Sequence, residues 1–186
     1  MSALLSAGFP TAAKRQRPPV TESEIDLLLA DMLQESWRDL RDTAMFAVQS
    51  GSGLTPAETV KLDAGHVDLV DRLVRVVDTH LAPRLVGLSD QSCDLIGRYL
   101  SALPFCLSKA EPLFVTSKRR RVNVRTAQVS FRRRRMRLGV SQSATLMGLR
   151  HALAAGLAHG GSSPDLLGSA LGIGRTGTLR YFSKTD

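Results

Sequence analysis

The chain has 186 residues, of which 43% are hydrophobic, and carries a formal net charge of +8. This length suits one domain with a core of ordinary size, and the composition is typical of a soluble globular protein. The excess of basic side chains favours a polyanionic partner. No apolar stretch approaches the length of a membrane span and no secretory pattern opens the chain, so membrane and secreted classes are not predicted and a cytoplasmic location is expected.

Residues 1–19 lack a sustained hydrophobic period and contain several prolines and three basic side chains. They are predicted to form a flexible basic arm. Two interpretations of this arm stay open, a segment that follows DNA and a plain solvated tail. Residues 20–186 are predicted to form a single domain, with no separate domain ahead of it.

Helix-start signals appear twice in the first third of the chain. Thr21 is followed three residues later by Glu24, and Thr55 is followed in the same way by Glu58. A hydroxyl and a carboxylate at this spacing form a capping box, because each side chain accepts a hydrogen bond from the other residue's backbone N–H. Helices are therefore predicted to begin just after Thr21 and Thr55, with another amphipathic helix over residues 37–50.

Residues 67–88 have the short period and turn signals of three strands, at 67–70, 73–77 and 84–88. A core-facing helix is predicted after Ser89. Cys93 and Cys106 lack metal-ligand spacing, so neither a metal nor a cofactor is expected, and two buried thiols are predicted rather than a disulfide.

Ten of the 25 basic residues fall within residues 118–137, which are predicted to form a loop followed by a strongly basic helix. A solvated face or a localisation signal is the alternative to a nucleic-acid contact for such a charge run. The candidate DNA-binding residues are Lys118, Arg119, Arg120, Arg121, Arg125, Arg132, Arg133, Arg134, Arg135 and Arg137.

Two helices and a tyrosine follow near the end of the chain. The first places Leu149, Leu153 and Leu157 on one face and is expected to stop at the glycine pair 160–161. The second is predicted to start with Ser163 as its cap and Pro164 as its first residue, and to end before Gly172.

This segment resembles the C-terminal box of the tyrosine recombinase family, the phage integrases and Xer-type recombinases. The family pattern is His-x-Leu-Arg-His, then Leu-Gly-His at a fixed interval, then a nucleophilic tyrosine. The tripeptide Leu149-Arg150-His151 and the dipeptide Leu171-Gly172 stand at the family interval, and Tyr181 follows. The resemblance implies an α+β, mainly helical domain with a small three-stranded antiparallel sheet.

It also implies a role for three residues. Tyr181 would attack a DNA phosphate, and Arg150 would neutralise its non-bridging oxygens. His151 matches a common family histidine; it either supports these residues or is an ordinary helix histidine.

Four other catalytic positions of the family are occupied by residues that cannot do the same chemistry. Thr55 replaces an arginine, Thr79 a lysine, and Met147 a histidine, while Ile173 replaces a histidine or tryptophan. His80, beside Thr79, is either a substitute general acid or a turn histidine without a role.

The expected function is therefore DNA binding by an integrase-like protein linked to recombination or to a mobile element, with strand cleavage lost. An active recombinase is one alternative, with Arg175 or Arg180 supplying substitute charge; a non-catalytic interaction module or relic is the other. Duplex DNA is the expected partner, and association with a full-length recombinase and with the nucleoid is a further expectation. A monomer is expected in free solution.

Overall fold

The computed structural model describes residues 20–31, 36–77 and 83–182. The predicted arm at 1–19 and the positions Thr79 and His80 lie outside these residues. Within them the elements, in chain order, are α1 (Glu22–Ala30), α2 (Trp37–Ser52), α3 (Pro56–Lys61), a 3₁₀ turn (Ala64–His66), β1 (Val67–Asp68), β2 (Leu73–Val76), β3 (Arg84–Gly87), α4 (Asp90–Ala102), α5 (Val124–Arg137), α6 (Leu146–His159), α7 (Pro164–Leu171) and α8 (Arg175–Leu179).

Helix α2 is the centre of the fold. Its side chains from Leu40 to Gln49 are all buried, and it packs against α4 and α6 and also contacts α1, α3 and α5. A helix that is buried on every side must satisfy its polar groups internally. Arg41 does so by donating to Asp42 Oδ1 at 2.8 Å and to the carbonyl oxygen of Val115 at 2.9 Å.

The three predicted strands form an antiparallel sheet in the order β1-β2-β3. Val74 pairs with Val86 in register, and both are buried together with Val76. Leu85, on the opposite face, is 66% exposed. The sheet is therefore covered by the core on one face only, as the period-2 pattern requires. The mainly helical fold with a small antiparallel sheet is confirmed.

The predicted helix caps form as the sequence indicates. Thr21 and Thr55 both make complete capping boxes. Ser163 accepts from the backbone N–H of Leu166, and Gly172 ends α7 in the left-handed conformation with φ of 64°. Local side-chain chemistry thus fixes where α1, α3 and α7 begin and where α7 ends.

Helix α6 turns a different face to the core from the one its leucine spacing indicates. Its buried residues are Leu146, Leu149, Arg150 and Ala154, whereas Leu157 is 37% exposed. The face that packs against α2 is centred on Arg150, whose guanidinium donates hydrogen bonds to the buried carbonyl oxygens of Gly53 and Leu171. Beyond α6, a small second cluster forms around Ala154, Leu167 and Leu171, and Tyr181 packs against it.

Both cysteines are free; Cys93 is half-buried but Cys106 is exposed, so the prediction of two buried thiols is wrong for Cys106. Among the described residues, no helix has the length and apolar character that crossing a membrane requires.

Candidate active site and nucleic-acid interface

Arg150 lies in the middle of α6 and is only 3% exposed. Its Nη1 donates to the carbonyl oxygen of Gly53, at the end of α2, and its Nη2 donates to that of Leu171, at the end of α7, over 2.8 Å. Its Nε is buried and has no hydrogen-bond partner among the described residues. Burial lowers the pKa of Arg150, and the nearby carboxylate of Glu58 opposes that shift. The guanidinium is therefore a fixed buried cation whose terminal nitrogens already hold two helix ends together.

Glu58 connects Arg150 to a second arginine that the sequence analysis did not single out. Arg84 Nη2 lies 2.7 Å from Glu58 Oε1, and Arg150 Nη1 lies 3.8 Å from Glu58 Oε2. Arg84 and Glu58 have only 13% and 10% of their side chains exposed. One carboxylate thus serves two guanidinium groups, which leaves one net positive charge in a largely buried site.

The position of Arg84 depends on a glycine. A Cβ added at Gly172 would lie 2.9 Å from both Cζ and Nη1 of Arg84, and Gly172 has φ of 64°. A residue without a side chain is needed here for the backbone turn and for the close approach of the guanidinium. Gly172 therefore both ends α7 and makes room for Arg84.

The hydroxyl of Tyr181 is held by two side chains. His151 Nδ1 lies 2.7 Å from Tyr181 Oη, and Arg180 Nη2 donates to the same oxygen over 2.9 Å. The guanidinium of Arg180 also lies 4.8 Å from the centre of the tyrosine ring. Burial and the charges of Arg180 and Arg150 lower the pKa of His151, so the imidazole is neutral near pH 7.

The structure brings Arg150, His151 and Tyr181 into one site, with Arg180 beside the tyrosine hydroxyl. Of the groups near Arg150, Tyr181 raises the pKa of Arg150 and Arg180 lowers it. Both arginines considered as substitutes are exposed, and Arg180 is the one that contacts the hydroxyl of Tyr181.

Of the three described positions that lack the family's catalytic residues, two have structural roles and one is exposed. Thr55 caps α3, accepting from the backbone N–H of Glu58 at 3.1 Å. Met147 is 37% exposed, and Ile173 packs on the small cluster around Leu167. None of these three side chains can stabilise negative charge as a cation or donate a proton as a titrating acid.

The basic segment forms the predicted loop and helix, with α5 as the helix. Along α5, Arg125, Val129, Arg132 and Met136 are exposed at helical spacing and share one outer face. Among the described residues, no ion pair or side-chain hydrogen bond involves five of the predicted DNA-binding side chains, all of them exposed: Lys118, Arg120, Arg125, Arg132 and Arg133.

A groove separates α5 from the first residues of α3 and α6. This groove of about 390 Å³ is lined by Arg132 and Arg135 of α5, by Pro56 at the start of α3, and by Met147 of α6. Arg132 therefore borders the same groove as the position that holds a histidine in the family pattern.

The other basic side chains of the segment are bound within the protein. Arg134 is wrongly predicted to contact DNA: it is 4% exposed and donates to the carbonyl oxygen of Leu28 at 3.1 Å and to Thr43 Oγ1 at 2.6 Å. It is buried because it shares the inward face of α5 with Ala127 and Phe131. The remaining four are more exposed but also have protein partners: Arg119 binds Glu111, Arg121 binds Val60, Leu62 and Asp63, Arg135 binds Gln142 and Ala144, and Arg137 binds Asp31.

Comparison with known proteins shows the family to which the chain belongs. Residues 19–184 match the model of the phage integrase family, so the chain belongs to that family of tyrosine recombinases. Over 182 residues the chain is 31% identical to the tyrosine recombinase XerC of Rhodospirillum centenum, covering 95% of this chain and 53% of the relative. It is 29% identical over 174 residues to XerD of Xanthomonas campestris, covering 88% and 54% of the two chains.

Solved structures show the same fold. XerA recombinase superposes with a TM-score of 0.77 at 22% identity, covering 92% of this chain and 62% of that one. XerH recombinase bound to its difH substrate superposes with a TM-score of 0.77 at 16% identity, covering 89% and 50%. The chain thus spans about half the length of the curated relatives it matches.

Proposed function

We propose that this chain binds duplex DNA during recombination or during the integration of a mobile element, and that it does not cleave natural DNA at a useful rate. The observation that carries this proposal is the position of the exposed cations: Arg132, Arg125 and Arg133 lie on α5, which lines a groove together with Met147, where the family pattern has a histidine. Phosphate neutralisation by such side chains favours binding with little sequence preference.

The loss of cleavage follows from the chemistry that the site lacks. Transfer of a DNA phosphate to Tyr181 requires stabilisation of two oxygens and a proton for the departing 5′-oxygen. Met147 and Ile173 provide neither, and Thr55 is engaged as a helix cap. Removing one preorganised donor of developing charge typically costs about 10²–10³ in rate, and here several are replaced together.

The proposal is supported by the relatives. Those matched in sequence are named tyrosine recombinases, and the XerH structure is bound to a DNA substrate.

A second function is favoured by the contacts of Tyr181. His151 and Arg180 both hold its hydroxyl, which is the arrangement an active recombinase with substitute residues would need. The two functions differ in one result. A duplex with a nick beside the cleavage point traps a covalent protein–DNA adduct if the enzyme is active.

The experiment combines binding and trapping. Duplexes of unrelated sequence are titrated with protein at several salt concentrations, and nicked duplexes carrying a relative's recombination site are then incubated and resolved on denaturing gels. We expect salt-sensitive binding and no adduct for the wild type or for Tyr181→Phe. An adduct that forms with the wild type and disappears in Tyr181→Phe would establish the active recombinase instead. Absence of binding at physiological salt would contradict the DNA-binding proposal.

A further inference from the structure

The hydroxyl of Tyr181, the candidate nucleophile, contacts two side chains that can assist its attack. Tyr181 Oη is 2.7 Å from His151 Nδ1 and 2.9 Å from Arg180 Nη2. His151 follows Arg150 on α6 and is itself half-buried. By contrast, the described positions where the family places its other proton-transferring groups hold Met147 and Ile173. The site therefore retains groups around the attacking oxygen and lacks them around the departing one.

The direction of proton transfer follows from the donors present. A guanidinium has only N–H donors, so the contact from Arg180 must be accepted by the oxygen of Tyr181. The tyrosine proton is then free to point at His151 Nδ1, which accepts it when the imidazole is neutral and carries its own proton on Nε2. Burial and the charges of Arg180 and Arg150 lower the pKa of His151 and so favour the neutral ring.

We infer that His151 is the proton acceptor for Tyr181, and that the site transfers a phosphoryl group to Tyr181 from phosphodiesters whose leaving group needs no protonation. This inference rests on the proposed function, because it assumes that the missing step in natural DNA is protonation of the 5′-oxygen. The substrate class is thus an activated nucleoside 3′-phosphodiester.

Thymidine 3′-(4-nitrophenyl phosphate) represents this substrate class. The Tyr181 oxygen forms a bond to phosphorus as its proton passes to His151 Nδ1. The bond between phosphorus and the aryl oxygen breaks, and 4-nitrophenolate leaves with the electron pair. The product is a phosphodiester that joins Tyr181 to the thymidine 3′-oxygen. In natural DNA the leaving group is an alkoxide, a much stronger base, which no acid at the described positions protonates.

Arg180 and Arg150 have different parts in this step. Arg180 donates to the attacking oxygen and stabilises negative charge on it as the proton leaves. The charge of Arg150 lowers the pKa of His151. A proton acceptor placed within hydrogen-bond reach of a nucleophile typically contributes about 10²–10⁴ in rate. Loss of His151 should therefore be visible even against slow chemistry.

The test uses the full chain and thymidine 3′-(4-nitrophenyl phosphate) as the probe. We expect a burst of 4-nitrophenolate, at about one equivalent per chain, with a matching thymidylyl mass on the peptide that contains Tyr181. Tyr181→Phe should give no burst. His151→Gln should slow the burst about 100-fold or more, whereas His159→Gln should not change it, because His159 is exposed and its imidazole binds the carbonyl oxygen of Ala155, one turn earlier on its own helix.

A pH profile separates proton acceptance from a structural role. The burst rate of the wild type should rise with pH through a midpoint below 6.5, because His151 must lose its proton first, and this limb should vanish in His151→Gln. Added imidazole should partly restore the burst to His151→Ala. Circular dichroism of each variant shows whether it is folded, and the wild-type profile tests the inference even if a variant does not fold.

The outcomes distinguish this inference from the proposed function. No burst in the wild type, or an equal burst in folded His151→Gln, would overturn the role of His151. Cleavage of natural nicked DNA would instead contradict the proposed lack of cleavage. Failure to bind duplex DNA would contradict DNA binding, while the burst assay, which needs no duplex, would still decide the role of His151.

Discussion

Replacing Arg132 and Arg133 together with serine should weaken DNA binding by an amount that depends on salt. Both side chains are exposed on α5, and no ion pair or side-chain hydrogen bond within the described part of the chain involves them. Their removal therefore takes away charge without disturbing internal contacts. Arg134, the next residue, is buried and offers a matched comparison.

The magnitude follows from the number of exposed cations. If each of the five exposed side chains for which the described part of the chain shows no ion pair or hydrogen bond neutralises one phosphate, log K should fall with log salt with a slope of about −4.5, at roughly 0.9 per contact. Between about 50 and 200 mM salt this is a loss of about 500-fold in affinity. The double variant, with three contacts, should have a slope of about −2.7 and lose about 40-fold over the same range.

The assay is a fluorescence-anisotropy titration of two duplexes of unrelated sequence at four or more salt concentrations. Arg134→Leu should keep the wild-type slope but unfold at a lower urea concentration. It removes the hydrogen bonds to Leu28 and Thr43 and an ion pair with Asp31, which keeps Arg137 as a partner, and each lost hydrogen bond from a charged group costs about 1.5–3 kcal/mol.

Two results would refute the reasoning. An unchanged salt slope in the Arg132→Ser/Arg133→Ser double variant would mean that the outer face of α5 does not contact phosphates. A reduced slope in folded Arg134→Leu, equal to that of the double variant, would mean that burial does not determine which arginines contact DNA.

Three further predictions concern the fold around the site. Gly172→Ala should destabilise the protein by about 1–3 kcal/mol in urea titrations, because the position has positive φ and the new Cβ meets Arg84, whereas Gly174→Ala, where a Cβ has open space, should cost much less. Thr55→Ala should cost about 1 kcal/mol through loss of the cap on α3, and Thr55→Ser should restore most of it. Burial raises the pKa of Tyr99 to about 12, so the contribution of the neutral Tyr99 hydroxyl to stability should be full below pH 10 and be lost between pH 10 and about 12. Tyrosinate absorbance would measure its ionisation, and the urea midpoint would measure the loss of stability.

The helix boundaries were predictable because they depend on residues close together in the chain. Thr55 and Glu58 form a cap across one turn of backbone, and Ser163 and Gly172 set the two ends of α7. Such interactions do not depend on the rest of the fold, so a sequence pattern is sufficient to identify them.

The buried cations were harder to predict because their partners are distant in sequence. Arg134 meets Leu28, 106 residues away, and Arg84 reaches Glu58 in another element. A weaker signal was nevertheless present. Arg84 is two residues before the buried Val86 on β3, and strand periodicity places both on the inner face of the sheet.

The same kind of signal was present in α5. Arg134 follows Ala127 and Phe131 at helical spacing, and both of those residues face the core. A charged residue on an apolar face requires a partner, so this spacing predicts a buried ion rather than a surface one. The density of positive charge in the segment does not distinguish a buried arginine from an exposed one.

The contacts of Arg150 give a reason for its presence that does not depend on cleavage. Its two terminal nitrogens bind the carbonyl oxygens of Gly53 and Leu171, which lie at the ends of α2 and α7. Helix ends have unsatisfied carbonyls and partial negative charge, so a buried cation between two of them stabilises the packing of both helices. A chain that no longer cleaves DNA would still lose stability without Arg150. The presence of Arg150 is therefore explained by the stability of the fold and does not by itself indicate cleavage. Whether the site cleaves DNA depends on Tyr181, His151 and the groups around the leaving oxygen.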